Sequence, residues 1–188
     1  ELPEFDRKVL EVLREPLEAG HVTISRAARQ AEYPAQFQLI AAMNPCPCGY
    51  FGSSARRCRC TPNQIERYLS KISGPLLDRI DIHIEVTPVP FEKLTEERKS
   101  ESSVSIRKRV TLARELQTKR FKTSKTVHYN AQMNVNQIRK YCVLDDASKA
   151  LLKTAMEQLN LSARAYDRIL KVSRTIADLQ GDESINGT

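Results

Sequence analysis

The stretch from Phe37 to Val86, FQLIAAMNPCPCGYFGSSARRCRCTPNQIERYLSKISGPLLDRIDIHIEV, decides the fold. It opens with the apolar run Phe37-Gln38-Leu39-Ile40-Ala41-Ala42, which reads as a strand, and follows it with the polar Asn44. In open α/β sheets ligands gather beyond the carboxyl ends of the strands, so a polar side chain in that place is expected to sense a substrate. Four cysteines come next, Cys46, Cys48, Cys58 and Cys60. Thr61-Pro62-Asn63-Gln64 then supplies an N-cap, a proline at the first helical position and a Gln at the third, ahead of Ile65, Tyr68, Leu69 and Ile72 on one face. Ile80, Ile82, Ile84 and Val86 alternate with Asp81, His83 and Glu85, the period of a strand with one face buried. The turn Ser73–Asp78 leads directly into that strand and carries Arg79 at its edge.

Upstream, Phe5, Val9, Leu13 and Leu17 recur at helical spacing with Leu10 widening the stripe, and Pro16 and Gly20 mark the expected end. Val22 and Ile24 alternate with Thr23 and Ser25, then a polar stretch with Pro34 turns the chain back into Phe37–Ala42, a strand, loop, strand unit. Downstream of Pro90 the strand signal disappears. A charged, serine-rich linker over 91–103 leads into a basic helix at about 104–121, and three helices follow near 134–142, 146–159 and 162–180, each opened by an Asn, Asp or Ser of capping type. In the last, Leu161, Ala165, Ile169, Val172, Ile176 and Leu179 define the expected buried face, and Gly181 stops it. The reading is α/β plus all-α: an α/β part over 1–90, a linker and basic helix over 91–126, a helical domain over 127–181 and a disordered tail over 182–188.

With 188 residues, 40% of them hydrophobic and 28% charged, the chain has the composition of a soluble globular protein. No apolar run approaches the roughly 20 residues of a membrane span. Cysteines paired as Cys-x-Cys favour metal or structure in a reducing compartment over a secreted disulfide framework. Cys46, Cys48, Cys58 and Cys60 present four thiolates able to close a tetrahedral structural Zn2+ site, with reduced thiols or oxidised pairs as the alternatives. Four protein ligands leave no open position, so such an ion staples the loop and does no catalysis. Cys142 sits on an apolar helical face and reads as core. The charge is concentrated: the formal +7 equals the excess of eight Lys and Arg over Glu115 within 107–125. Arg107, Lys108 and Arg114 therefore make a nucleic-acid contact plausible, because neutralising phosphates drives non-specific binding; a solvated face of a connecting helix is the competing reading.

The segments ELPEF, PLEAGHVTISRA, AAMNPCPCG, SGPLLDRIDIHIEV and LSARAYDRILKVSRTIADL resemble the magnesium-chelatase-like AAA+ ATPases, most closely the ComM/YifB competence-type branch. The resemblance covers nearly all of the chain. It implies the C-terminal part of an AAA+ α/β core followed by a helical lid, in a cytoplasmic, hexameric ring ATPase using ATP and Mg2+. In the competence-type branch it implies branch migration of DNA by a helicase-type motor. On this resemblance Glu1 corresponds to the water-activating carboxylate, Asn44 to the sensor-1 residue, Arg79 to an arginine finger acting on a neighbouring subunit and Arg164 to the sensor-2 arginine of the lid. Arg26 and Arg29 correspond to a hairpin insert directed at the central channel and its DNA. The family's phosphate-binding loop with its GK[ST] element is not in this sequence, so the chain is expected to be a piece of a longer ATPase and inactive by itself. The motor subunit of a magnesium chelatase, and a non-enzymatic zinc-bearing nucleic-acid module, remain the alternatives.

Overall fold

A computed structural model describes residues 1–26, 29–87, 89 and 100–186. The chain divides into two compact units, Glu1–His83 and Ile84–Thr188. The stretch 91–99 of the expected linker lies outside the described residues, and the basic helix belongs to the second unit.

The first unit opens with a 3-10 turn, Leu2–Glu4, followed by α1 (Arg7–Val12) and α2 (Arg14–Ala19). The single helix expected there is two. Pro16 has no N–H, and its ring collides with the carbonyl four residues back, that of Val12, so the helix breaks at Leu13 and restarts. Gly20, in the left-handed region at φ 72°, ends α2. An antiparallel hairpin follows, β1 (His21–Arg26) against β2 (Arg29–Pro34), with Arg26 opposite Arg29 next to the turn. α3 (Pro62–Leu69) carries the expected capping box between Thr61 and Gln64, and the short α4 (Gly74–Leu77) is capped by Ser73. Leu2, Leu10, Ile72 and Leu76 form the buried core, flanked by Leu13, Leu17, Leu77 and Ile80.

Two expected strands are not strands here. Among the described residues the sheet is the β1–β2 hairpin alone, and neither Phe37–Ala42 nor Ile80–Val86 joins it. β1 pairs instead with the polar segment Arg29–Pro34, His21 lying opposite Pro34. Ile40 is 84% exposed and Val86 87%, as an apolar strand pattern must be when no neighbouring strand covers it.

The second unit is helical. α5 (Ser103–Arg120) packs on α8 (Ala163–Gln180), and between them lie a 3-10 turn (Asn130–Gln132), α6 (Val135–Tyr141) and α7 (Asp146–Gln158). Side chains of Ser102, Asn134, Asp145 and Ser162 cap α5, α6, α7 and α8. The core comprises Phe121, Val127, Met133, Ile138, Cys142, Leu144, Leu170 and Ile185. Cys142 is thus core, and burial pushes its thiol up to about 11. The expectation of a disordered tail is corrected for 182–186. Ile185 is buried and bridges to Leu144, while Arg174 donates to the carbonyls of Asp182 (2.5 Å) and Glu183 (2.7 Å).

The buried ridge of α8 is also displaced from its apolar stripe. Leu170, Arg174, Ala177 and Asp178 are buried, whereas Ile176 is 49% exposed. A polar network causes the shift. Arg120 of α5 grips the Asp178 carboxylate with two hydrogen bonds of 2.5 and 2.7 Å, Arg174 adds one of 3.1 Å and the Asn130 amide one of 2.8 Å. Burial raises the Asp178 pKa, but the Arg120 and Asn130 hydrogen bonds, with the charges of Arg120 and Arg174, more than offset it and hold the carboxyl below its ordinary range.

Asp178→Asn should therefore strand two guanidinium groups and cost the second unit about 3–5 kcal/mol in denaturant unfolding. Because the folded pKa is depressed, the stabilisation is present above the unfolded value of about 3.9 and is lost as pH falls below it through the folded value. The variant's stability should be correspondingly flatter across that acid window.

Candidate nucleotide-sensing and metal-binding site

The main-chain N–H of Leu2 donates to the carbonyl of Ala42 (2.9 Å), and the Lys71 ammonium donates to the carbonyl of Pro3 (2.8 Å). The first bond lays the start of the chain beside the Phe37–Ala42 segment, and the second ties it to the residues just after α3. Two residues further on, Asn44 Nδ2 donates to Glu1 Oε1 at 3.3 Å. An ionised carboxylate only accepts, so the amide must turn its NH2 toward Glu1, which leaves its own oxygen and a second N–H for another partner. Both side chains are exposed. A carboxylate beside a neutral amide, both open to solvent, suits the orientation and deprotonation of a water molecule.

The cysteine loop starts immediately after Asn44. Cys46 and Cys48 lie 3.4 Å apart at sulfur, Cys46 and Cys58 3.7 Å, and Cys48 and Cys58 3.5 Å. All four Sγ atoms, including that of Cys60, fall within 4.8 Å of one another. Cys46 is fully buried and accepts a hydrogen bond from the Phe51 N–H at 3.3 Å. The capping box of α3 anchors the chain directly after Cys60. Backbone hydrogen bonds from Arg59 and Tyr50 draw the Cys48 thiol down to about 6, while burial pushes Cys60 up to about 12. Four sulfurs so close together present the donor set of a single soft metal ion.

Arg79 follows α4 and turns back onto α2. Its side chain donates to the carbonyls of Arg14 (3.1 Å) and Pro75 (2.6 Å) and forms an ion pair with Glu18, 61 residues away in sequence. Glu18 is a residue that sequence reasoning missed, since nothing local ties it to Arg79. In the same unit Arg26 and Arg29 flank the hairpin turn, both exposed. Arg164 lies in the second unit, exposed in the first turn of α8. There too, Arg107, Lys108 and Arg114 are exposed along α5, with the Arg114 guanidinium 4.9 Å from the centre of the Tyr129 ring. The structure thus unites Glu1, Asn44 and the four cysteines, while the basic residues sit on separate elements.

Comparison with known proteins matches residues 1–94 to the family described as magnesium chelatase, subunit ChlI, and residues 100–188 to the C-terminal region of that subunit. The chain belongs to the magnesium chelatase ChlI family. Among its relatives, competence protein ComM of Haemophilus influenzae is 48% identical over 98% of this chain, and the uncharacterized protein YifB of Salmonella typhimurium 44% over 99%. An uncharacterized protein of Mycobacterium tuberculosis is 36% identical over 98%. The chain spans only about a third of the length of these relatives, 35% of ComM and 36% of the other two. The mixed α/β and helical architecture of this ChlI-family chain is consistent with an AAA+ fold. No described helix is long and apolar enough to cross a membrane.

In the metal-free chain at pH 7, a thiol-directed alkylating agent should modify Cys48 well before Cys60, with Cys142 slow as well, because the thiolate is the nucleophile. Lowering the pH below about 6 should slow modification of Cys48 itself, as its thiolate becomes protonated. Mass spectrometry of timed digests reads the order directly.

Proposed function

We propose that this chain forms the sensor and lid portions of a ring-forming AAA+ ATPase that couples ATP hydrolysis to movement along DNA. The observation that carries the reading is the pairing of Glu1 with Asn44, a hydrogen bond between the carboxylate and the amide that the family resemblance separately assigns to water activation and to nucleotide sensing. Magnesium-bound ATP supplies the phosphoanhydride bond that is hydrolysed. Glu1 accepts the proton of the attacking water, and Asn44 holds the carboxylate in place while offering its remaining amide groups to that water or to a phosphate oxygen. No GK[ST] element is present in the 188 residues, so the cradle for the phosphates must come from elsewhere in a longer protein.

Arg79 acts across a subunit boundary in this scheme. Three of its five N–H groups are held by Arg14, Pro75 and Glu18, which fixes the guanidinium in orientation and leaves two for a neighbouring subunit's phosphates. Arg164 on α8 contacts the nucleotide from the lid. DNA is met by Arg26 and Arg29 at the hairpin turn and by the exposed charges of α5. Of the eight basic residues over 107–125, Arg120 is committed to Asp178 and Arg109 to Glu101, which leaves six for phosphates. The ComM relative is named for competence, which favours DNA over a porphyrin as the object of the motor.

The deciding experiment is ATP hydrolysis by the full-length protein with and without DNA. Stimulation by DNA supports the reading; hydrolysis that responds only to chelatase partner subunits contradicts it. In that protein Arg79→Ala should lower kcat with little change in nucleotide affinity, and mixing such subunits with ones mutated in the phosphate loop should restore part of the activity.

Reversal of Arg107, Lys108 and Arg114 to Glu should weaken DNA binding without changing sequence preference. On duplex it should also flatten the slope of log affinity against log salt by about 0.9 for each phosphate that is no longer neutralised.

A further inference from the structure

The four thiols are arranged for one ion of a definite size. A tetrahedral Zn2+ with Zn–S bonds of about 2.3 Å sets its ligands about 3.8 Å apart along each edge. The sulfur separations of 3.4, 3.5 and 3.7 Å lie just inside that edge. A disulfide needs about 2.05 Å and forms at none of these pairs; all four cysteines are free thiols. An iron–sulfur cluster would spread its thiolates over several iron atoms, further apart than sulfurs that share one ion.

The position of the site relative to Asn44 gives it more to do than staple a loop. Asn44 and Cys46 are separated by Pro45 alone, which fixes its own φ and stiffens the link. Cys46 begins a turn closed by the Gly49 N–H on its own carbonyl at 3.0 Å, and Cys48 lies within that turn. Gly49 has φ +79°, and a Cβ placed there would lie 4.0 Å from Asn44 Cγ, so the turn that carries two of the thiols runs close to the Asn44 side chain. The amide of that side chain donates to Glu1. An exposed amide with one hydrogen bond to an exposed carboxylate is a weak constraint by itself, because water competes for both groups. The ion supplies the stiffness that this contact lacks.

We propose that Cys46, Cys48, Cys58 and Cys60 bind one Zn2+ and that the ion is a positioning device, locking the Cys46–Gly49 turn so that Asn44 is held against Glu1. Zinc binding stands on the thiol geometry alone; the role of the clamped pair in hydrolysis rests on the ATPase reading above. Metal occupancy then regulates the nucleotide site from outside it. Release of the ion by chelation frees the turn and unpairs the two side chains.

Two measurements on the 188-residue chain test this. Metal analysis of the purified chain should find one zinc per molecule, retained by Cys142→Ser and lost by Cys58→Ser with Cys60→Ser, and Co2+ substitution should give the intense visible bands of a tetrahedral thiolate site. Iron in place of zinc, or no bound metal in chain kept reduced, overturns the proposal. In 15N-resolved NMR, stripping the zinc should shift or broaden the Asn44 side-chain NH2 signal and re-addition should restore it, while the Asn130 side-chain signal in the second unit stays in place. An Asn44 signal that is indifferent to zinc overturns the clamp even if the ion binds. Neither readout needs ATP hydrolysis, so failure of the ATPase reading would show separately, as an intact protein with zinc and a responsive Asn44 but no turnover.

Discussion

The hydrogen bond from the Leu2 N–H to the Ala42 carbonyl is the constraint on which the first unit depends. It carries the start of the chain alongside the residues that precede Asn44 and sets Glu1 within reach of the Asn44 amide. The same placement puts Leu2 into the core with Leu10, Ile72 and Leu76, and brings the Pro3 carbonyl to Lys71. Burial of Leu2 thus stabilises the polar contact beside it. An exposed hydrogen bond contributes little net free energy, about 1 kcal/mol or less, so on the Glu1 side the apolar neighbour does most to fix the geometry.

What could be read from the sequence was local. The capping box Thr61–Gln64 and the boundaries of α5 to α8 follow from residues within a few positions of one another, and they stand nearly where the pattern puts them. The Cys-x-Cys spacing likewise announced a four-sulfur site, because ligands two residues apart are brought together by any tight turn. Contacts between distant residues were illegible. Nothing near Arg79 marks Glu18 as its partner, and nothing near Asp178 marks Arg120, which lies 58 residues away. That network moved the buried ridge of α8 onto Arg174 and Asp178, residues any hydropathy pattern assigns to solvent. The segments Phe37–Ala42 and Ile80–Val86 show the converse: alternation reports that a strand has a face to bury but does not supply the neighbour that buries it.

The electrostatics of the second unit narrow what its positive charge can do. A sequence count treats all eight basic residues over 107–125 alike, yet Arg120 is half-buried as the partner of a buried carboxylate and Arg109 is held by Glu101. Charge that is paired internally releases no counterions from a polyanion, so the effective footprint is smaller than the sequence suggests. Arg107, Lys108, Arg114, Lys119, Lys122 and Lys125, the other basic residues of that stretch, all stay exposed.

The central claim is that Glu1 and Asn44 work as a single device. A double-mutant cycle on kcat in the full-length protein tests it most directly, using Glu1→Gln, Asn44→Ala and the combination under saturating ATP. If the amide acts by holding the carboxylate, each single change disables the same step, and the double variant should be slower than the slower single one by no more than about two-fold. Losses that multiply, each residue contributing independently of the other, would contradict the account.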